Sequence, residues 1–130
     1  MKQENPPERY RQRLTADPKE FAGVRRTVRT QLRAWGREGL AEAAELCVTE
    51  ILANVHRHVQ SPECELTLER LPEGVRASVS DGSPQRPAVV GRETYDETGR
   101  GMVLVSGVAD RWGTEPLVGG KRVWVVLCEG

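Results

Sequence analysis

Hydrophobic spacing predicts two amphipathic helices in the first half of the chain. The first helix is expected to begin at Asp17-Pro18, because Asp is a favoured N-cap, Pro suits the first helical position, and Glu20 lies three residues after the cap. Apolar residues then recur every three or four positions. A second helix with the same period is expected over about residues 40–59. The residues predicted to face the core are Phe21, Val24, Val28, Leu32 and Trp35 in the first helix, and Ala44, Val48, Ile51, Leu52, Val55 and Val59 in the second.

Alternation of apolar and polar residues predicts strands in the rest of the chain. Residues 63–81 have the pattern of an antiparallel hairpin that turns at LPEG. Two further strands are predicted to meet near Gly119-Gly120, and the apolar run over 123–128 is typical of a strand inside a sheet. A short helix over 102–109 and a weakly alternating edge strand over 9–14 complete the elements. The dry face of the hairpin is predicted to contain Cys64, Leu66, Leu68, Val75, Ala77 and Val79.

These elements predict an α+β fold. Two long helices and four or five mostly antiparallel strands form a two-layer sandwich when the helices cover one face of a mixed, mostly antiparallel sheet. A chain of 130 residues suits a single compact domain. We expect that domain over residues 14–130. Residues 1–13 are polar and contain Pro6-Pro7, and we expect a flexible arm there that includes the short edge strand.

Charge and cysteine content narrow the classes of function. The 19 basic and 19 acidic residues balance, so net charge does not indicate a nucleic-acid or membrane partner. The sequence has no signal-peptide pattern and no apolar run of membrane-spanning length, and we expect a cytoplasmic protein. Cys47, Cys64 and Cys128 lack the paired spacing of zinc sites. We expect them to be buried, reduced thiols.

Three polar residues border the apolar arc of the second helix. Glu50, Asn54 and His58 are spaced by four residues and therefore lie on nearly one line of the helix surface. Glu50 and Asn54 flank the apolar arc, where unpaired polar groups cost free energy. The line is therefore either structurally hydrogen-bonded or part of a ligand site. A core histidine bonded to a backbone carbonyl explains His58 equally well.

Two further signals follow in chain order. Continuing the hairpin alternation places Asp81 on the dry face at the end of its strand, where an acid is either structurally bonded or available to a ligand donor. Gly99 and Gly101 precede the short helix, where unpaired N–H groups and the helix dipole favour an anion. Alone, two such glycines also fit a simple turn.

In this order the motifs LCVTEILANVHRHV, VSDGSP and TGRGMVLVSGVADRWG resemble the N, G1 and G2 boxes of the GHKL (Bergerat-fold) ATPases. That superfamily includes gyrase-type ATPases, histidine kinases and related chaperones. The resemblance covers nearly the whole chain, from Leu14 to Leu127. It is greatest to stand-alone bacterial ATP-binding domains related to anti-sigma-factor serine/threonine kinases. It implies ATP and Mg²⁺ as ligands.

The resemblance also implies roles for individual residues. Asn54 would supply its amide oxygen to Mg²⁺. Glu50 would be the catalytic base that orients or deprotonates the attacking hydroxyl. Asp81 would accept the exocyclic amino group of adenine. Arg100 fits a phosphate contact or a solvated side chain equally well. The other residues implied to bind ATP are His58, Ser83, Gly99, Gly101 and Met102.

Two departures from the family pattern affect these expectations. Many relatives have glycine at the position of Ser83, where the backbone passes close to the base. The change either adjusts the loop or weakens nucleotide binding. The segment AVVGRETYDET, residues 88–98, is a short candidate lid. A short lid leaves the γ-phosphate open to another protein and favours transfer to a partner over enclosed hydrolysis.

The resemblance favours a bacterial regulator of transcription. We expect a serine/threonine kinase that phosphorylates a small anti-sigma antagonist and controls a sigma factor by partner switching. The sequence shows no transmembrane, dimerisation-histidine or receiver segment, which argues against a histidine kinase. The alternatives are a non-catalytic ATP-binding interaction module and a protein-binding domain without nucleotide. Relatives often pair through the first strand and helix, so a homodimer is also expected.

Overall fold

The computed structural model describes residues 8–58, 63–82 and 105–129. Within these ranges the strands are β1 (Arg9–Thr15), β2 (Glu63–Leu71), β3 (Gly74–Asp81), β4 (Arg111–Leu117) and β5 (Gly120–Cys128), and the long helices are α1 (Phe21–Ala34) and α2 (Ala41–His58). Short 3₁₀ turns, Pro18–Glu20 and Glu38–Leu40, precede the two helices, and residues 105–108 are also helical. The strands form one antiparallel sheet in the order β1-β2-β3-β5-β4. The helices pack on one face, so the predicted α+β sandwich is confirmed.

The start of α1 follows the predicted capping pattern with one refinement. Asp17 caps the 3₁₀ turn, its carboxylate accepting a hydrogen bond from the Lys19 N–H at 3.0 Å, and the α-helix proper begins at Phe21. The helix ends before Gly36, whose φ of 73° lies in the left-handed region that glycine adopts without strain. All five core residues predicted in this helix are buried.

α2 packs against α1, β3 and β5 and completes the core. Its predicted core residues Ala44, Val48, Ile51, Leu52 and Val55 are buried, while Val59 lies outside the described residues. The two helices are also joined by an ion pair, with Arg29 Nε 2.7 Å from Glu45 Oε2. Burial of a side chain such as Ile51 or Leu52 stabilises the fold by about 1.5–3 kcal/mol. The helix layer is therefore fixed by its apolar arc.

The strands have the predicted faces. β2 and β3 pair so that Leu66 lies opposite Val79 and Leu68 opposite Ala77, with all four side chains buried. β5 pairs with both β3 and β4 and is an interior strand, as its apolar run predicted. β1 is an edge strand and runs through residue 13, so residues 9–13 of the expected arm form part of the sheet. Of the helix predicted over 102–109, residues 105–108 are helical and 102–104 lie outside the described residues.

Arg37 ties the loop between the helices to one end of the sheet. Its Nη2 donates to the Leu71 carbonyl oxygen at 2.8 Å and its Nε donates to the Gly74 carbonyl oxygen at 3.2 Å. Its Nη1 also lies 3.5 Å from a carboxylate oxygen of Glu129, which follows β5. A single guanidinium therefore joins the helix layer to the β2–β3 turn and to the end of the chain.

The thiols are free, and two of the three are buried. Burial raises the pKa of Cys47 to about 11, with a further contribution from the charge of Glu50. Burial likewise raises the pKa of Cys64 to about 12, with a contribution from Asp81. Cys128 is only half-buried because it is the last residue of an interior strand, and the expectation of three buried thiols is corrected there.

Two kinds of feature, a cluster of metal ligands and a membrane-spanning helix, are not found in the described ranges. Within residues 8–58, 63–82 and 105–129, no group of three or more His, Cys, Asp or Glu side chains could hold a metal ion. In the same ranges, no helix has both the length and the apolar character that crossing a bilayer requires.

Candidate functional site

The C-terminal half of α2 and the end of β3 lie at the same end of the sandwich. His56, near the end of α2, donates from Nδ1 to the carbonyl oxygen of Ala16 at 3.0 Å, just after β1. In the sheet, Leu14 at the end of β1 lies opposite Cys64, and Cys64 lies opposite Asp81. The sheet register and this hydrogen bond therefore bring the polar line of α2 and the carboxylate of Asp81 to one end of the fold.

Asp81 is buried on the helix-covered side of the sheet, as the alternation predicted. Its side chain is fully shielded from solvent. It pairs with Lys121, the residue directly opposite in β5, whose Nζ lies 2.8 Å from Oδ2 and 3.0 Å from Oδ1. The ammonium group compensates the desolvation of the carboxylate. A carboxylate oxygen can accept more than one hydrogen bond, so the pairing with Lys121 does not by itself exclude a ligand donor.

Two glycines at the β4–β5 turn allow Lys121 to pair closely with Asp81. Gly119 has φ of 76°, which places the β4–β5 turn in the left-handed region. At Gly120 a Cβ atom would overlap the carbonyl oxygen of Asp81. Only glycine lets the start of β5 approach the end of β3 closely enough to place Lys121 against the carboxylate.

Asn54 is buried and its amide orientation is fixed by Arg57. The side chain of Arg57, three residues later on α2, donates from Nη2 to Asn54 Oδ1 at 3.0 Å. A guanidinium group only donates, so the oxygen must be the amide atom that faces it. The other amide atom, Nδ2, is buried and has no hydrogen-bond partner among the described residues.

The donor set at Asn54 fits a hard divalent cation. Amide and carboxylate oxygens are the protein ligands that Mg²⁺ accepts, and the Arg57 hydrogen bond uses one of the two lone pairs of the Asn54 oxygen. Mg²⁺ needs few protein ligands when it also binds phosphate oxygens, so a single asparagine suffices for the protein's share. The site therefore suits the metal that the resemblance implies.

Glu50 lies one helical turn before Asn54, about 6 Å along the axis. Its side chain is half-buried, and within the described part of the chain its carboxylate makes no hydrogen bond or ion pair. A carboxylate in this position can accept the proton of a hydroxyl brought to the same end of the fold. The first two residues of the predicted line therefore keep polar atoms that the described residues do not satisfy.

The remaining predicted site residues are not placed. His58 is the last helical residue of α2, and its side chain lies outside the described residues, as do Ser83, Gly99, Arg100, Gly101, Met102 and the candidate lid over 88–98. A histidine of α2 does bond a backbone carbonyl, but that residue is His56.

The structure adds two residues that the sequence analysis missed. Lys121 precedes Val123 and Val125 by two and four residues in β5, and both valines face the core. The alternation of side chains along β5 therefore places Lys121 on the same face as Asp81. Arg57 follows Asn54 by three residues, a spacing at which helical side chains meet. Both signals were present in the sequence.

A surface cavity of about 380 Å³ opens where β2 begins and β3 ends. It reaches neither Glu50 nor Asn54. Three of its lining residues, Arg13, Glu65 and Ser80, are cross-strand neighbours on the open face of the sheet, so the cavity does not open onto the buried Asp81 carboxylate. Its lining residues are Arg13, Glu63, Cys64, Glu65, Ser80, Asp81 and Gly82.

Comparison with known proteins agrees with this architecture. The family model described as a histidine kinase-like ATPase domain matches residues 14–127. The chain therefore belongs to the histidine kinase-like ATPase domain family, and the resemblance to GHKL ATPases is confirmed. No curated protein matches the sequence significantly.

A solved structure shows the same fold. The crystal structure of the RsbU and RsbW domains of Rv1364c from Mycobacterium tuberculosis matches with a TM-score of 0.69 and 17% sequence identity. The match covers 92% of this chain and 32% of that chain, so this chain spans about a third of the length of the matched protein.

Proposed function

We propose that the chain is a serine/threonine protein kinase that transfers phosphate from ATP to a small anti-sigma antagonist and so controls a sigma factor by partner switching. The observation that carries this proposal is the pair on α2: Glu50 has a carboxylate without a partner among the described residues, and one turn away lies the buried amide of Asn54, whose Nδ2 has no partner among them. The ATPase family supports it, as does the structural match to a chain that contains an RsbW domain.

The site residues would divide the binding of adenine, metal and phosphate among them. Asp81, held by Lys121, would accept a hydrogen bond from the amino group of adenine. Asn54 would hold Mg²⁺, which when bound neutralises charge on the phosphates. Residues 14–130 would form a single ATP-binding domain. By the resemblance, His58, Ser83, Gly99, Arg100, Gly101 and Met102 would complete the nucleotide site.

Glu50 would act on the acceptor side chain. The hydroxyl oxygen of a serine or threonine forms a bond to the γ-phosphorus while its proton passes to the Glu50 carboxylate. The bond between the γ-phosphorus and the β–γ bridging oxygen breaks, and ADP leaves. General-base assistance of this kind contributes about 10²–10⁴-fold to a rate.

The test separates catalysis from nucleotide binding. Glu50→Gln and the control Glu42→Gln, an exposed residue at the start of the same helix, are compared with the wild type. ATP affinity is measured by calorimetry, and phosphotransfer is followed with labelled ATP and the antagonist that co-purifies with the chain from its own cells. We expect Glu50→Gln to bind ATP normally and to transfer phosphate at least ~100-fold more slowly. The control should match the wild type in both measurements.

Two results would overturn the kinase proposal in different ways. If the wild type binds ATP but transfers no phosphate, the non-catalytic ATP-binding module becomes the better description. If the wild type binds no ATP with or without Mg²⁺, the polar residues of α2 and β3 are structural and the chain is a protein-binding domain.

A further inference from the structure

The chain is neutral as a whole, but its charge is unevenly distributed. Residues 9–33, which include β1 and α1, contain seven arginines and one lysine against two acidic residues, Asp17 and Glu20. This segment therefore has a net charge of +6, while the net charge of the whole chain is zero. Such asymmetry indicates a surface that attracts an acidic partner.

Three of these arginines line the edge of the sheet that no described strand covers. Arg9, Arg11 and Arg13 alternate along β1 with their side chains exposed on the face that the helices leave open. Arg9 forms an ion pair with Glu69 at 3.0 Å. Among the described residues, Arg11 and Arg13 form no ion pair. Arg11 lies opposite the neutral Thr67, whereas Arg13 lies opposite Glu65, so Arg11 offers the more available charge.

The backbone of the same three residues faces outward. The Arg70 N–H donates to the Glu8 carbonyl oxygen at 2.9 Å, so Glu8 directs its backbone groups toward β2. Because these directions alternate along a strand, the even-numbered residues of β1 also face β2. The N–H and C=O groups of Arg9, Arg11 and Arg13 therefore point to the open edge.

A groove of about 650 Å³ runs beside this edge, between β1 and α1. A strand added to β1 would alternate its side chains, placing one set in this groove and the other set beside the arginines. Glu20 and Arg26 also line the groove, one acidic and one basic side chain. The surfaces available to such side chains include Tyr10, Gln12 and Leu14 from β1 and Thr27 and Gln31 from α1.

We propose that the outer edge of β1 binds an extended, acidic segment of a partner protein as a sixth strand. The bound segment alternates acidic side chains, which lie beside Arg11 and Arg13, with small apolar side chains, which enter the groove against Tyr10 and Leu14. Backbone hydrogen bonds to the three arginines fix its register. This surface is separate from the nucleotide site proposed above and does not depend on ATP.

The resemblance implies a homodimer paired through this same strand and helix, but charge favours an acidic partner over a second copy of the chain. If two β1 strands paired antiparallel about Arg11, that residue would lie opposite its own copy and Arg9 would lie opposite Arg13. Like charges directly opposite each other destabilise a sheet. Arginines can also protect an edge strand from aggregation. Protection from aggregation would explain the arginines but not the groove beside them.

The experiment uses labelled peptides and the full chain. The probe is the capped hexapeptide Glu-Val-Glu-Val-Glu-Val with a fluorophore, and its anisotropy is measured during titration with protein. The controls are Lys-Val-Lys-Val-Lys-Val and an acidic peptide that is N-methylated at alternate residues, which keeps the charge but cannot pair as a strand. We expect only the unmethylated acidic peptide to bind with micromolar affinity, at least ~20-fold more tightly than either control.

Two substitutions of one residue separate charge from backbone pairing. Arg11→Ala removes the charge, whereas Arg11→Pro also removes an N–H that faces the open edge and leaves the β1–β2 hydrogen bonds intact. We expect a weakening of about threefold from the first and at least ~20-fold from the second. Arg33→Ala, on the exposed side of α1, is the matched control and should bind normally. Thermal unfolding confirms that each variant is folded.

Several outcomes would overturn the proposal. Equal binding of the methylated peptide, or equal effects of the two Arg11 variants, would show a charged patch without strand addition. A short DNA duplex is a further competitor. If it displaces the peptide from the wild type and also binds the Arg11→Pro variant as tightly as the wild type, the edge is a charged patch without strand addition. A wild-type dimer in sedimentation that Arg11→Pro dissociates would make a second copy the occupant. No peptide binding at millimolar concentration would leave the arginines with edge protection alone.

Discussion

Arg57 and Asn54 are joined by a hydrogen bond of 3.0 Å from the guanidinium Nη2 to the amide Oδ1. The bond places a cation on the oxygen atom that the family resemblance assigns to Mg²⁺. A guanidinium and a metal ion cannot occupy the same lone pairs of a buried oxygen without competing. The arginine orients the amide, and if Asn54 holds Mg²⁺ as proposed, we expect Arg57 to compete with the metal.

We expect Arg57→Met to strengthen the Mg²⁺ dependence of ATP binding by about three- to tenfold, because it removes the guanidinium that competes for the Asn54 oxygen. A charge-assisted hydrogen bond contributes about 1.5–3 kcal/mol, and Arg57 is exposed, so only part of that energy opposes the metal. Asn54→Ala should abolish the Mg²⁺ dependence altogether. Both are measured by calorimetric titration of ATP with and without Mg²⁺. Arg33→Met controls for the loss of a charge elsewhere on the helix layer.

The contrary result for Arg57 would also be informative. If Arg57→Met binds ATP more weakly with Mg²⁺ than the wild type, the guanidinium assists nucleotide binding and does not compete with the metal.

We expect Lys121→Met to destabilise the fold by about 3 kcal/mol, because it leaves the carboxylate of Asp81 buried without its counter-ion. The double variant with Asp81→Asn should recover part of this loss, which gives a coupling energy of about 1–3 kcal/mol in urea unfolding. Glu115→Gln, whose carboxylate is exposed on the open face of the sheet, should change stability by less than about 0.5 kcal/mol.

The same variants test the binding of adenine. Asp81→Asn should weaken ATP binding by at least about tenfold, because an acceptor of the amino group is replaced by a mixed donor and acceptor. Unchanged ATP affinity in a destabilised Asp81→Asn protein would show that this acid serves only the ion pair with Lys121.

Regular periodicity explains why so much of this fold could be predicted. Apolar spacing in α1 and alternation in β2 and β3 each require one face to be buried, and the same parity correctly placed Asp81. The approach of Arg37 to two carbonyl groups of the β2–β3 turn could not be predicted, because it joins residues more than thirty positions apart. The orientation of Asn54 likewise depends on a side-chain contact rather than on a period.

We expect Arg37→Ala to lower the free energy of unfolding by about 1–3 kcal/mol, because the carbonyl groups of Leu71 and Gly74 lose a charged donor. Arg33→Ala is the matched control, since among residues 8–58, 63–82 and 105–129 Arg33 forms an ion pair only with the exposed Glu38, and its loss should cost less than about 0.5 kcal/mol. Urea unfolding measures both. Equal losses would mean that water replaces the guanidinium at these carbonyl groups without cost.

The buried thiols predict a loss of stability in alkali. In the unfolded chain both cysteines titrate near their ordinary pKa of 9.0, but in the folded chain the pKa is about 11 for Cys47 and about 12 for Cys64. Between these values the unfolded state has released protons that the folded state retains, so the free energy of unfolding falls as the pH rises. Full stability from this source is present below about pH 9.

Cys47→Ala and Cys64→Ala should each flatten the fall in stability between pH 9 and pH 11, measured by urea unfolding at each pH. Cys128→Ala, at the half-buried thiol, is the control for the general effect of removing a cysteine. In the folded wild type at pH 8, iodoacetamide should modify Cys128 before the other two, because alkylation requires an accessible thiolate. Rapid alkylation of Cys64 in the folded protein would contradict its burial between β2 and the helix layer. The pairing of Cys64 with Asp81 would then be open to solvent, and so would the carboxylate on which the proposed adenine contact depends.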